Sequence, residues 1–305
     1  MTDAERERRL TELKDTVLAV IRRSGAGATG IESLQTYIHT APEVNPNCFY
    51  RLSVGLILQG KKRVTCAGRS LEYGAGAAVI TASDLPTSFE ILTCSESRPF
   101  VAVSLELDPV TVTELIAQLP AALREESGSE EQVLTVTDAS ADLIDGFARL
   151  FRLLDAPEQI PLRLPLIERD LLCALLMSPA GAGLRRCCGG ETPTSGIART
   201  ISWIRSHPTE SLNLDTLSEI ARMSRTSLFR HFKSVTGFSP LQYQKRLCLY
   251  LAHNLMLSRK MSAAEAAYEV GYASTTQFSR EYKKVFGLPP RKSLSEQSGQ
   301  VAAKN

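Results

Sequence analysis

The chain has 305 residues, with 35 Lys+Arg against 33 Asp+Glu and a formal net charge of +2, long enough for two domains with separate cores. No apolar run approaches the roughly 18 residues of a membrane-spanning helix, and seven cysteines without framework spacing fit a reducing compartment better than a disulfide scaffold. The opening MTDAERERRLTELKD mixes acids and bases and lacks the apolar core of a signal peptide, so a cytoplasmic location is expected. Residues 3–23 predict a helix, with Leu10, Leu13, Val17, Val20 and Ile21 at helical spacing. From Cys48 to Leu107 the texture changes to short apolar runs broken by Gly, Pro and Asp: RLSVGLILQG, KKRVTCAG, GAAVITASDLP, FEILTC and PFVAVSLELD. Such runs predict an antiparallel β barrel or sandwich. Within it, Arg51, Gln59, Tyr73 and Asp84 read as exposed polar residues. Helical periodicity returns at 139–154, where Leu143, Ile144, Phe147, Leu150, Phe151 and Leu154 form a stripe wide enough to cover the sheet and meet a partner. A second helical segment, LIERDLLCALLM, follows at 166–177.

Residues 178–195, SPAGAGLRRCCGGETPTS, carry no apolar periodicity and read as a linker. Beyond it, 196–295 is helical by pattern, and 296–305 reads as a tail. The charge divides at this point. From Gly196 onward there are 16 Lys+Arg against 7 Asp+Glu, a net of +9, which leaves −7 for residues 1–195. A basic half beside an acidic one points to a polyanionic partner for the former.

The basic half contains one element twice. SRTSLFRHFKSVTGFSP (224–240) and STTQFSREYKKVFGLPP (274–290) align without a gap, sharing Ser224/Ser274, Thr226/Thr276, Arg230/Arg280, Lys233/Lys283, Val235/Val285, Gly237/Gly287 and Pro240/Pro290. Each serine is placed to cap a helix, and each copy follows another short helix, LDTLSEIARM or SAAEAAYEVGY. A short helix, a turn and a capped second helix make the helix-turn-helix pattern, whose second helix enters the DNA major groove. Leu228 and Phe232, like Phe278 and Tyr282, are four apart and point inward. Arg225, Thr226, Phe229 and Arg230 then face out in the first copy, and Thr275, Thr276, Ser279 and Arg280 in the second. Arginine can pair bidentately with guanine, and threonine offers a hydroxyl and a methyl to thymine. Lys233, Lys283 and Lys284 follow where phosphates would run. The plain alternative is a helical bundle with solvated basic residues.

With its connector LQYQKRLCLYLAHNLML (241–257), the region 197–292 resembles the DNA-binding domain of the AraC/XylS family of transcription regulators. The resemblance implies base readout by Arg225, Thr226, Phe229 and Arg230 in the first helix. In the second it implies readout by Thr275, Thr276, Gln277 and Arg280, with Ser224, Lys233, Ser274, Lys283 and Lys284 on phosphates. The chain departs from the family pattern at Ala266-Ala267 and at Pro290-Arg291-Lys292-Ser293. The segments VGLILQGKKRV, LEYGAGAAVITASDLPTSFEI and PFVAVSLELDP, between Val54 and Pro109, resemble the N-terminal domain of one branch of that family, similar to the cupin fold. This implies a small β barrel that binds a small-molecule effector, followed by helices (139–177) that form a homodimer.

Catalytic cupins hold a cluster of His and Glu around a metal, whereas this chain has four His, and only His39 precedes the linker. His39 reads as a surface or loop residue. No hydrolase, zinc-protease or phosphate-loop motif is present. Neither an enzyme, a metal site nor a cofactor is expected. Cys187-Cys188, beside Arg185 and Arg186, suggests a second sensing chemistry, because neighbouring cations lower a thiol's pKa.

The expected fold is therefore α+β: a cupin-like sensor and dimerisation domain (1–177), a linker (178–195) and an all-α reader with two helix-turn-helix motifs (196–295). The expected function is regulation of transcription on double-stranded promoter DNA, as activator or repressor, with RNA polymerase a partner in the former case. A thiol-based redox-responsive regulator and a sequence-indifferent architectural DNA-binding protein are the alternatives.

Overall fold

The computed structural model describes residues 2–27, 29–124, 133–190 and 192–293. The tail expected at 296–305 lies outside the described residues. Helix α1 (Asp3–Ser24) leads into eight strands: β1 (Leu34–His39), β2 (Val44–Tyr50), β3 (Ser53–Gln59), β4 (Lys61–Cys66), β5 (Arg69–Gly74), β6 (Ala77–Thr81), β7 (Leu85–Thr93) and β8 (Phe100–Glu106). Helices α2 (Pro109–Gln118) and α3 (Ala121–Arg124) precede β9 (Leu134–Asp138), then α4 (Ala141–Leu153), α5 (Ile160–Met177) and α6 (Ala182–Cys188) follow. The remainder is helical: α7 (Pro193–Ser206), α8 (Leu214–Ala221), α9 (Arg225–Thr236), α10 (Pro240–Ser258), α11 (Ala263–Glu269) and α12 (Thr275–Phe286).

The strands form two antiparallel sheets, ordered β1-β8-β3-β6-β9 and β2-β7-β4-β5. They face each other without closing, so the expected barrel is an open double sheet. Alternation along the strands explains the layers. Ile57, Val79, Phe100 and Ala102 of the first sheet meet Val64, Tyr73 and Ile91 of the second. The intervening residues Leu56, Ala78, Ile80, Val101, Val103 and Leu105 turn the other way and pack under α1, α4 and α5. The first sheet is thus buried on both faces, which is why β3, β6 and β8 read as nearly continuous apolar runs. Tyr73 and Asp84 are buried, contrary to the exposed placement expected from their polarity. Tyr73 faces the other sheet, and the Asp84 carboxylate accepts from Leu52 N at 3.0 Å and from Arg205 Nη1 at 2.7 Å. Buried polar groups persist when they are bonded in this way.

The stretch expected to be a linker is mostly ordered helix. Residues 182–188 form α6, and a Thr192/Ser195 capping box starts α7. Its small residues serve close packing: a Cβ at Gly181 would lie 2.3 Å from the Leu175 carbonyl oxygen. Arg185 is buried, and its Nη1 donates to the carbonyls of Leu176 and Ser178.

The reader is seated on the open face of the second sheet. Phe49 of β2 packs against Tyr243 and Tyr250 of α10, at centroid distances of 5.6 and 5.1 Å, and Tyr243 packs edge-on against Phe232 of α9 at 5.5 Å. The Tyr243 hydroxyl donates to the Asp84 carbonyl at 3.0 Å, and Arg246 Nη1 donates to Asn47 Oδ1 at 2.9 Å. One apolar cluster therefore runs from Leu10 of α1 to Leu247 of α10.

Candidate nucleic-acid interface

Both repeated elements fold as helix-turn-helix units. In the first, α8 ends at Arg222 in a left-handed conformation, and Ser224 caps α9 by accepting from Ser227 N. In the second, α11 begins with a Ser262/Glu265 capping box, and Ser274 caps α12 by accepting from Gln277 N. Each recognition helix is 12 residues long and ends at a left-handed glycine, Gly237 or Gly287. Ser224 and Ser274 thus use their oxygens to satisfy helix N-termini, and the Ser224 hydroxyl also donates to Ser227 Oγ at 3.1 Å.

The apolar faces are locked as the spacing predicts. Leu217, Ala221, Leu228, Phe232 and Val235 are buried in the first unit, and Ala266, Ala267, Val270, Phe278 and Tyr282 in the second. The Ala266-Ala267 pair, where the chain departs from the family pattern, is fully buried and brings α11 close to α10. Tyr282 reaches the hydroxyl of Ser293 at 3.3 Å and His253 Nδ1 at 2.6 Å. Burial without compensation pushes the His253 pKa down, favouring its neutral form.

The opposite faces are open. Arg225, Thr226, Phe229 and Arg230 are exposed on α9, with Phe229 at 39%. Thr276, Gln277 and Arg280 are exposed on α12, and Thr275 is half-buried. Lys233, Lys283 and Lys284 are exposed further along each helix, and Arg280, Glu281, Lys283 and Lys284 rim a shallow depression. Two of the expected readers are already engaged. Arg225 directs its Nε, at 2.8 Å, and Nη2 to Asp215 of α8, which raises the guanidinium pKa. Gln277 Nε2 donates to Glu281 at 3.1 Å, and Glu281 also accepts from Tyr272 and pairs with Lys245. Arg225 must release or share Asp215 to fork onto a guanine, whereas Arg230 is bonded only to its neighbour His231, at 3.2 Å, among the contacts described.

Sequence reasoning missed the groups that tie the C-terminal helices to the N-terminal sheets, Asp84, Arg205, Tyr243 and Asn47. Arg205 and Asp84 are 121 residues apart, and no local signal links them. The cysteines also differ from expectation. Cys187 is buried and its thiol pushed well up by desolvation, and Cys188 is pushed up to about 12 by the same cause. Burial outweighs the cations that adjacency in sequence suggested, opposite to what a reactive thiolate needs. Among the described residues no group of three or more His, Cys, Asp or Glu could hold a metal, and no helix is long and apolar enough to cross a membrane.

Comparison with known proteins places these features in context. Residues 30–183 match the family model described as the AraC-type transcriptional regulator N-terminus, and residues 217–295 match that of a helix-turn-helix domain. The HTH-type transcriptional activator RhaS of Escherichia coli (strain SE11) is 29% identical over 101 residues, 33% of this chain and 36% of RhaS. The chain thus spans about a third of the length of the curated relatives it matches. ToxT from Vibrio cholerae O395, solved bound to (E)-4-(8-methylnaphthalen-1-yl)but-3-enoic acid, shares the fold over 86% of this chain and 98% of its own, with a TM-score of 0.61 and 16% identity. A second structure, of an apo ToxT variant from Vibrio cholerae strain SCE256, covers 86% of this chain and 97% of its own, with a TM-score of 0.59 and 14% identity.

Proposed function

Since the chain belongs to the family of AraC-type transcriptional regulators, we propose that it binds promoter DNA at defined sequences and that its N-terminal domain senses a small molecule. One observation carries this reading. Two serine-capped helices lock their apolar faces inward and leave Arg230 and Arg280 at matching exposed positions. Base readout is assigned to Arg225, Thr226, Phe229 and Arg230 of α9 and to Thr275, Thr276, Gln277 and Arg280 of α12. Phosphate contacts are assigned to Ser224, Lys233, Ser274, Lys283 and Lys284. Phe229 has no hydrogen-bonding group, so its role is contact with a thymine methyl or plain packing.

The sensor acts through its seat on the reader. An effector that binds one arrangement of the two more tightly shifts the population toward it. The contacts of Phe49, Asp84 and Asn47 with α7 and α10 are what such a shift would rearrange. Leu162 and Leu166, one turn apart on α5 and 79% and 69% exposed, mark the face assigned to a homodimer. An activator would in addition meet RNA polymerase.

The test is selection of bound fragments from random DNA by the full-length protein at near-physiological salt. The isolated reader is a poor substitute, because the core of its first unit is continuous with the sensor. Two short sequence blocks about one helical turn apart are expected. Tight binding with no recovered motif and a steep salt dependence would replace this reading with the architectural one.

A further inference from the structure

Along β4 of the second sheet two of the three cations are paired with carboxylates. On its outer surface Lys61 pairs with Glu72 at 2.8 Å, and Arg63 pairs with Glu72 and with Glu90, the latter at 2.6 Å. Lys62, between them on β4, points the other way, on the side of Val64 and the space between the sheets. Its ammonium lies 4.0 Å from the centroid of the Phe89 ring, 5.2 Å from Tyr50 and 5.9 Å from Phe100. Among the described residues no carboxylate comes within ion-pair distance of it. Glu43 acts on it only through space and is bonded to His39 at 2.8 Å.

The other groups that face this ammonium are Cys48 and Tyr50 of β2 and Tyr73 of β5, whose phenol is bonded to that of Tyr50. Burial raises the thiol and both phenols, so these three are neutral at pH 7. Burial also lowers Lys62, to about 8. This half-buried cation, held among rings and neutral groups, lacks a counter-charge, and a charge partly withdrawn from water is most stable when paired.

Resting on the reading of this domain as a small-molecule sensor, we infer that its effector is an organic carboxylate with an apolar body, the carboxylate pairing with Lys62 and the body lying against Tyr50, Phe89 and Phe100. A single ammonium matches a monovalent acid. His39 also packs on Phe89 and Phe100, at 6.0 and 5.8 Å, but its Nδ1 is already held by the Glu43 carboxylate at 2.8 Å, so Lys62 is the cation left for a ligand, and the rings supply the apolar contact area. The site also has a route to the reader. Tyr50 and Phe49 are neighbours on β2 and point to opposite faces of the sheet. Tyr50 borders the ammonium, and Phe49 packs on Tyr243 and Tyr250 of the reader's connector. An occupant that displaces the β2 backbone at Tyr50 would shift Phe49 with it.

The experiment is calorimetry on the full-length protein with two matched pairs, 1-naphthoate with 1-naphthamide and octanoate with octanamide. At pH 7 at least one acid is expected to bind tenfold or more tightly than its amide. In Lys62→Met that preference should fall to within about twofold, and in Lys62→Arg it should persist. In the wild type, raising the pH from 7 to 9.5 should weaken the acid and leave the amide unchanged, a readout independent of any variant's folding. Equal binding of acid and amide, no binding of either acid at millimolar concentration, or an undiminished preference in Lys62→Met would overturn the inference. DNA retention by the wild-type protein without any probe reports separately on the DNA-binding reading.

Discussion

The two helix-turn-helix units present the same 12-residue helix between a serine cap and a left-handed glycine, yet they are anchored differently. Leu228, Phe232 and Val235 of the first belong to the large cluster that also contains the sensor's helices and sheet. Phe278 and Tyr282 of the second belong to a small cluster shared only with α10 and α11, built on Cys248, Leu249, Ala252 and Met256. The difference teaches that a repeated sequence need not mean repeated energetics. The first unit shares its core with the rest of the chain, whereas the second has a small core of its own on the connector and meets the N-terminal domain where α12 borders β2.

The largest test of that contrast is removal of equivalent rings. Phe232→Ala and Phe278→Ala should each cost about 3–5 kcal/mol locally. Phe232→Ala is expected to lower the main calorimetric transition of the protein. Phe278→Ala should leave that transition near its wild-type position and abolish hydrogen-exchange protection in 263–286 alone. Equal lowering of the main transition by both would erase the distinction.

The same division should be visible on DNA. Arg230→Ala and Arg280→Ala are each expected to cost about 1–3 kcal/mol against the preferred site. Each should relax preference in a different sequence block, as read by repeating the fragment selection. If both variants weaken all sequences uniformly, these arginines bind phosphates instead.

Acidification should separate the units more gently. The folded-state pKa of His253 is depressed by burial against Tyr282 and Phe286, so the unfolded chain takes up a proton before the folded one does. This contribution to stability is present above the ordinary histidine pKa, near 6.5, and is lost as pH falls below it. Exchange protection of α11 and α12 is expected to fall between pH 7 and pH 5 ahead of that of α8 and α9, and His253→Asn should remove most of the difference. The smallest expected effect is that of Lys283→Ala, which should reduce the slope of log affinity against log salt by about 1 with little change in preferred sequence.

Much of the reader was legible in the sequence because its signals are local. Ser224, Gly237, Ser274 and Gly287 mark the ends of α9 and α12, and the four-residue spacing of Leu228/Phe232 and Phe278/Tyr282 sets their buried faces. The double sheet was legible only in outline. β1 and β9 pair with β8 and β6 across long sequence separations; β1 lacks regular alternation, and β9, though it alternates as Leu-Thr-Val-Thr, is too short to signal which strand it joins. Residues 178–195 misled because Gly and Ala are the residues of loops and also those of tight packing, and periodicity cannot tell the two apart. The contacts of Arg205 with Asp84, and of Tyr243 with Phe49, are tertiary and leave no mark on either local segment.

The turn between β4 and β5 touches the reader at one point, with a consequence for the two matching glycines. A methyl at Gly237 would meet the Cα of Ala67 at 3.0 Å, whereas one at Gly287 meets nothing within 4 Å. Both positions hold a left-handed backbone, so alanine strains each helix end alike. At the first it also works as a wedge, prising the hairpin from the helix without altering any side chain on the outward face. The same letter thus answers to one demand at Gly287 and to two at Gly237. A single-methyl change at Gly237 is expected to loosen the β4–β5 hairpin from α9, seen as faster hydrogen exchange in 61–74, while every outward side chain of α9 keeps its place.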